Sequence, residues 1–137
     1  MKLSVSAGYG LITMMYIAQK HELVLSQEIA QKCQIPFDYL LKILHQLVRA
    51  GVLQSRRGPN GGFMLANSAA KTSYLSVIEA IDGHAEFHLG HQNEEFKELA
   101  QEIESNMNKA IGGFNTILKK TTLAKTLKKI HTNGSGK

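Results

Sequence analysis

Residues 37–66 leave the chain few ways to fold. Leu40, Ile43, Leu44, Leu47 and Val48 recur at spacings of three and four, the repeat of a helix with one apolar stripe. That helix is expected over residues 37–50, with Gly51 as its natural stop. Two short strands follow at 52–56 and 63–66, in which Leu53/Ser55 and Phe63/Leu65 alternate at strand period. Between them lies Gly58-Pro59-Asn60-Gly61-Gly62. Asn60-Gly61 is expected to supply the positive backbone angles of a tight hairpin.

The flanking segments are helical by the same reasoning. Residues 4–20 are apolar on most sides (Val5, Leu11, Ile12, Met14, Met15, Ile17, Ala18), with Ser4 as N-cap. Such breadth implies burial between two surfaces, the helix's own domain and a partner chain. Ser26 opens a short helix whose Ile29, Ala30 and Cys33 share a face, and Gln34-Ile35-Pro36 breaks it. A fourth helix spans 73–82 and ends at Asp82-Gly83. Past a linker at 84–92, Phe96, Ala100, Ile103, Met107, Ala110, Phe114 and Ile117 recur at alternating steps of four and three in a helix from about 93 to 121. This is a heptad seam. The chain has too little left to cover it, so it reads as a homodimer interface, with Gly112-Gly113 marking a kink. Residues 132–137 are small and polar and are expected to be disordered.

The expected fold is therefore mostly α with a small β-hairpin wing: a winged helix-turn-helix over 1–83, a linker or sensor-like loop at 84–92, a dimerisation region at 93–131 and a tail. In such a motif the second helix enters the major groove, so its outward face must carry hydrogen-bonding side chains. Asp38, Lys42, His45 and Arg49, with Gln46 at the edge and Tyr39 beside them, fit that requirement. Arg56 and Arg57 adjoin the thin backbone of the Asn60-Gly61 tip, which suits phosphates or a narrow minor groove. Charge agrees in its distribution. Residues 1–66 carry seven basic and three acidic side chains, and 67–137 carry nine and eight, so the positive excess lies in the half that would face DNA.

The residues also resemble a known family. Met1-Lys2-Leu3-Ser4 with Tyr9, Ile29-Ala30, Ile35-Pro36, Tyr39-Leu40, Ile43-Leu44, Leu47, Ala50-Gly51-Val52-Leu53, the run from Ser55 through Arg56-Arg57-Gly58-Pro59-Asn60-Gly61-Gly62 to Ala66, and Val77-Ile78-Glu79-Ala80-Ile81-Asp82-Gly83 are similar to the Rrf-two family of bacterial winged-helix regulators. The likeness covers about the first 83 residues. It implies a homodimer on a partly palindromic operator of double-stranded DNA; a small dimer that occludes a promoter usually represses, so a repressor is expected. Helix 37–50 would lie in the major groove and the wing at 53–66 in the minor groove. The family's minor-groove arginine matches Arg57, and its base-reading positions match Asp38, Leu41 and Lys42. Leu41 departs from the polar residue of the iron–sulfur members.

Those members also carry three cysteines just after the segment matching Asp82-Gly83. Here the only cysteine is Cys33, and that stretch reads His84-Ala85-Glu86-Phe87-His88-Leu89-Gly90-His91. A three-cysteine iron–sulfur cluster is excluded by count, Cys33 reads as a small buried hydrophobe, and no cofactor is expected. His84, His88 and His91 would suit a transition metal if the segment were helical, though Gly83 and Gly90 argue against a rigid helix. The other reading is a rebuilt sensor loop without metal. No glycine-rich phosphate loop, nucleophile elbow or His-Glu-x-x-His motif is present, so an enzyme is not expected. The absence of a long apolar run points to a cytoplasmic protein with no membrane partner. The alternative function is a protein-interaction adaptor that reuses the fold without DNA.

Overall fold

The computed structural model describes residues 3–90 and 93–135. Its elements, in order, are α1 (Val5–Ala18), α2 (Ser26–Cys33), α3 (Phe37–Arg49), β1 (Leu53–Arg56), β2 (Gly62–Leu65), α4 (Tyr74–Asp82), α5 (Lys97–Lys120) and α6 (Leu123–Ser135), with short 3-10 turns at Ala69–Lys71 and Glu94–Phe96. Helices α1 to α4 enclose the core, and the two strands form one antiparallel hairpin with Leu53 opposite Leu65 and Arg56 opposite Gly62. The fold is the winged helix-turn-helix with a long C-terminal helix that the sequence predicts.

Side-chain caps set two helix starts. Ser4 Oγ accepts from the Ala7 amide at 3.0 Å and Ser73 Oγ from that of Ser76 at 3.1 Å. The break between α2 and α3 has two causes. Pro36 constrains the residue before it, and Gln34 adopts the left-handed region at φ 55°, with its amide returned to the Ala30 carbonyl. Ile35 is thereby buried. Met14, Ile17, Val24, Ile29, Leu40, Ile43, Leu44, Leu47, Leu53 and Val77 form the core around α3. On α1, Ala7, Gly10, Thr13, Met14 and Ile17 are buried, while Val5 and Ile12 stay exposed. The second surface predicted for this helix is thus open in the single chain.

The hairpin is rooted to the body by a third strand-like contact. Val24 and Phe63 exchange both backbone hydrogen bonds, each at 2.9 Å. The wing tip corrects one expectation: the positive backbone angles fall at Gly58 (φ 106°) and Gly62 (φ 148°), not at Asn60-Gly61. Five residues, 57–61, join the strands instead of two, so the two-residue turn rule does not apply. Gly61 is needed for space, since a Cβ there would lie 2.2 Å from the Arg56 carbonyl oxygen.

The C-terminal region departs most from expectation. Helix α5 runs unbroken through Gly112 and Gly113, because a formed helix tolerates glycine at about 1 kcal/mol each. Thr121 then turns extended, and the chain folds back onto the winged helix. The Tyr74 amide donates to the Thr121 carbonyl at 2.8 Å, the Leu123 amide to that of Thr72 at 3.0 Å, and Leu123 is fully buried in the core. Residues 123–131 are therefore attached to the first domain and do not extend a free arm. Residues 132–135, expected in a disordered tail, continue α6, since extending a nucleated helix costs little even for poor formers.

Gly62 combines an unusual φ with backbone crowding, as a Cβ there would meet the Val24 carbonyl oxygen at 2.8 Å. Gly62→Ala is expected to lower unfolding stability by about 1–3 kcal/mol, read from urea denaturation. An unchanged midpoint would show that the Val24–Phe63 root does not depend on this close approach.

Candidate nucleic-acid interface

Burial of Leu40, Ile43, Leu44 and Leu47 turns the other side of α3 to solvent. Asp38, Leu41, Lys42, His45 and Arg49 are exposed there, and Gln46 is half-buried at the edge. Asp38 is the only carboxylate of this helix. Tyr39, also predicted to touch DNA, is held on its own chain: its hydroxyl pairs with that of Ser6, and its ring meets Tyr9 edge-on at 5.5 Å. It positions the start of α3 against α1.

The wing stands beside this face. Leu41, His45, Arg56 and Arg57 line a common open cleft of about 560 Å³ between α3 and the hairpin. Among the described residues, Lys42, Arg49, Arg56 and Arg57 have no acidic partner within ion-pair distance, so their charge is available to a polyanion. Asn60 is exposed at the tip. Gly61 is half-buried and donates to the Gly58 carbonyl at 3.0 Å; its role is to shape the tip. Leu25 and Ser26, at the start of α2, and Ser55 line the same cleft and were not among the DNA-facing residues expected from the sequence. The signal for the first two was a helix start directly ahead of the reading helix.

The predicted seam on α5 lies open. Phe96, Ile103, Met107, Phe114 and Ile117 are exposed, Ile117 to 68%, and so is Ala110, whereas Ala100 is half-buried. Leu99, outside the seam pattern, is exposed beside them. The adjoining side of α5, through Glu104, Asn108, Ile111, Asn115 and Leu118, is half-buried against the chain itself.

The histidine-bearing segment from His84 to Gly90 is a strap without regular structure, not a helix, and Gly83 and Gly90 at its ends take positive φ. The Phe87 amide donates to Asn108 Oδ1 at 2.9 Å, Asn108 Nδ2 donates to the Phe87 carbonyl at 3.0 Å, and the Leu89 amide donates to Glu104 Oε2. His84 Nδ1 lies 2.7 Å from Glu79 Oε2, while His88 faces Glu86 at 3.3 Å and Glu104 at 3.5 Å. His91 lies outside the described residues. The helical alignment that would bring the imidazoles together is not formed, and among the described residues no group of three or more His, Cys, Asp or Glu is placed to hold a metal. Cys33 is half-buried on α2, where burial pushes its thiol pKa up and disfavours the thiolate that metals and oxidants require.

The sequence profile of the Rrf2 family, described as iron-dependent transcriptional regulator, matches residues 3–129. The chain belongs to the Rrf2 family. A helix-turn-helix-type transcriptional regulator of Aquifex aeolicus (strain VF5) is 40% identical over 72 residues, 52% of this chain and 50% of that protein. The regulator IscR of Cereibacter sphaeroides (strain ATCC 17023) is 34% identical over 86 residues, 60% of this chain and 56% of its own. The chain thus spans about half the length of the curated relatives it matches. Among solved structures, T. potens IscR superposes with a TM-score of 0.70 at 25% identity, covering 95% of this chain and 88% of that one. These Rrf2 relatives are named as regulators, not enzymes. The family's description names iron; the single Cys33 offers one thiolate per chain, and among the described residues no group of three or more His, Cys, Asp or Glu is placed to hold a metal.

The hydrogen bond that His84 donates to the Glu79 carboxylate, aided by the charge of Glu79 and then that of Glu86 and opposed by burial, raises the pKa of His84. The pair's contribution is full below the ordinary histidine value of about 6.5 and is lost as pH rises through the higher folded-state value. Glu79→Gln is expected to bring the His84 titration, followed by NMR, back towards the ordinary value. An unmoved midpoint would remove this contact as its cause.

Proposed function

We propose that this Rrf2 protein is a transcription regulator that binds double-stranded DNA as a homodimer on a partly palindromic operator and represses by occluding the promoter. The observation that carries the reading is the convergence of Leu41 and His45, from the exposed α3 face, and the wing's Arg56 and Arg57 on one cleft. Helix α3 is of a size to enter the major groove, its N-terminal residues meeting base edges. There Asp38 can accept from a cytosine or adenine amino group, and Lys42 can donate to guanine. A carboxylate on a phosphate-facing surface is repelled unless it meets a base donor, which favours a reading role for Asp38. Arg57, on the wing, suits the minor groove. None of these contacts calls on a metal.

The homodimer rests on α5. Its exposed seam of Ile103, Met107, Phe114 and Ile117 is a larger apolar stripe than monomers usually leave in water, and a second copy of the same helix matches its heptad spacing. Two copies related by a two-fold axis present two recognition helices to two half-sites.

Arg57→Ala is expected to weaken binding to a site selected from random DNA by about 1–3 kcal/mol, measured by fluorescence anisotropy against salt. Parent binding should fall steeply as salt rises. Salt-independent parent binding would favour the adaptor reading, and unchanged affinity of the variant would leave the wing as scaffold. Replacing Ile103 and Met107 together with Asp should give monomers in sedimentation that lose the palindromic site. A double variant that still sediments as a dimer would place the interface elsewhere.

A further inference from the structure

Three large side chains near the start of α3 are exposed: Phe37, Tyr39 and Leu41. Tyr39 is engaged by Ser6 and Tyr9, and Phe37 stands at the first helical position. Leu41 differs from both. It lies one turn after Asp38 and one turn before His45, beside Lys42, and lines the cleft facing the wing. It is 40% exposed, on a helix face whose other exposed members around it, Asp38, Lys42 and His45, are hydrogen-bonding side chains, while the cleft it lines also includes Leu25, Leu44, Val48 and Phe63. Its neighbours Leu40, Ile43 and Leu44 already fill the buried stripe, so its exposed part contributes nothing to the core.

The major groove offers an apolar side chain a single apolar target. Base edges there present N7, O6, O4 and amino groups, all polar, and the C5 methyl of thymine; cytosine carries only hydrogen at the corresponding carbon. We infer that Leu41 reads a thymine in each half-site through its 5-methyl group, between the hydrogen-bonding contacts of Asp38 and His45. This rests on the DNA-binding reading above and adds to it the base and the atom recognised. Leu41 then selects for thymine over cytosine by burial of one methyl group, where a polar side chain would select by hydrogen bonding.

The test uses the full chain and a site selected from random double-stranded DNA. Each thymine is replaced in turn by deoxyuridine, which removes only the methyl and keeps the base pair. One thymine per half-site is expected to weaken binding about fourfold on replacement, the effect of one buried methyl. Leu41→Ala should bind the thymine and uracil sites equally, near the affinity of the parent for the uracil site. Urea denaturation of the variant checks that its fold is intact. The inference is overturned if no single replacement changes parent affinity, or if Leu41→Ala keeps the same methyl dependence, which would assign the contact to another side chain. A parent protein that enriches no sequence, with salt-independent binding, sinks the DNA-binding reading and this inference with it. Sequence-selective, salt-dependent binding without methyl dependence sinks only the inference.

Discussion

The rotation of α3 about its own axis decides what the molecule can touch, and that rotation is set by four buried side chains. Leu40, Ile43, Leu44 and Leu47 are each at most 1% exposed, and burying one such residue is worth about 1.5–3 kcal/mol. Turning the helix by one residue, about 100°, would bring Leu41, His45 and Val48 inward in their place. A histidine would then be buried without a partner while leucines met water. No surface interaction of α3 approaches that cost, so the exposed face is a consequence of the core. The left-handed Gln34 and the proline after it serve the same end, delivering the chain to α3 with Ile35 already buried.

The hairpin depends on this core less directly. Leu53 is its one fully buried residue, and the reciprocal Val24–Phe63 hydrogen bonds hold its second strand against the loop between α1 and α2. The wing is thereby held by Leu53 at its base and by Val24 close to its tip, beyond which Arg57, Gly58, Pro59 and Asn60 are exposed. Two points of attachment fix the direction of the arginines relative to α3. The exposed loop past the second leaves room to adjust to a groove whose width varies with sequence.

Period and punctuation made most of this legible in the sequence. The α3 stripe, the α1 and α4 starts at Ser4 and Ser73, the strand pairing and the open α5 seam all follow from local pattern, because each element's own residues decide it. The misreadings share a different origin. Asn60-Gly61 looks like a two-residue turn, but the register of Arg56 against Gly62 is fixed by packing of Leu53 and Phe63, and it moves the positive angles to Gly58 and Gly62. Among the described side chains of helix α6 only Leu123 is fully buried to announce it, and its docking depends on the main chain of Thr72 and Tyr74, roughly fifty residues away in sequence. Likewise, the contacts of Tyr39 with Ser6 and Tyr9 join α3 to α1 across about thirty residues. Long-range backbone pairing of this kind leaves no periodic trace.

The strap at His84–Gly90 shows how the region between the winged helix and α5 is organised by the chain's own polar groups. A segment without regular structure leaves its backbone amides and carbonyls to be satisfied elsewhere. Asn108 meets both needs of Phe87 with one side-chain amide, donating and accepting as a neighbouring strand would, and Glu104 accepts from Leu89. His84 reaches back to Glu79 on α4 while His88 lies between Glu86 and Glu104, so the strap is fastened to both helices it joins. Asn108 and Glu104 lie one turn apart on the inward side of α5, which adjoins the side of Ile103 and Met107 about 100° round the helix. The inner face of that helix is therefore committed to its own chain through hydrogen bonds, while the neighbouring apolar face stays exposed for the proposed dimer partner.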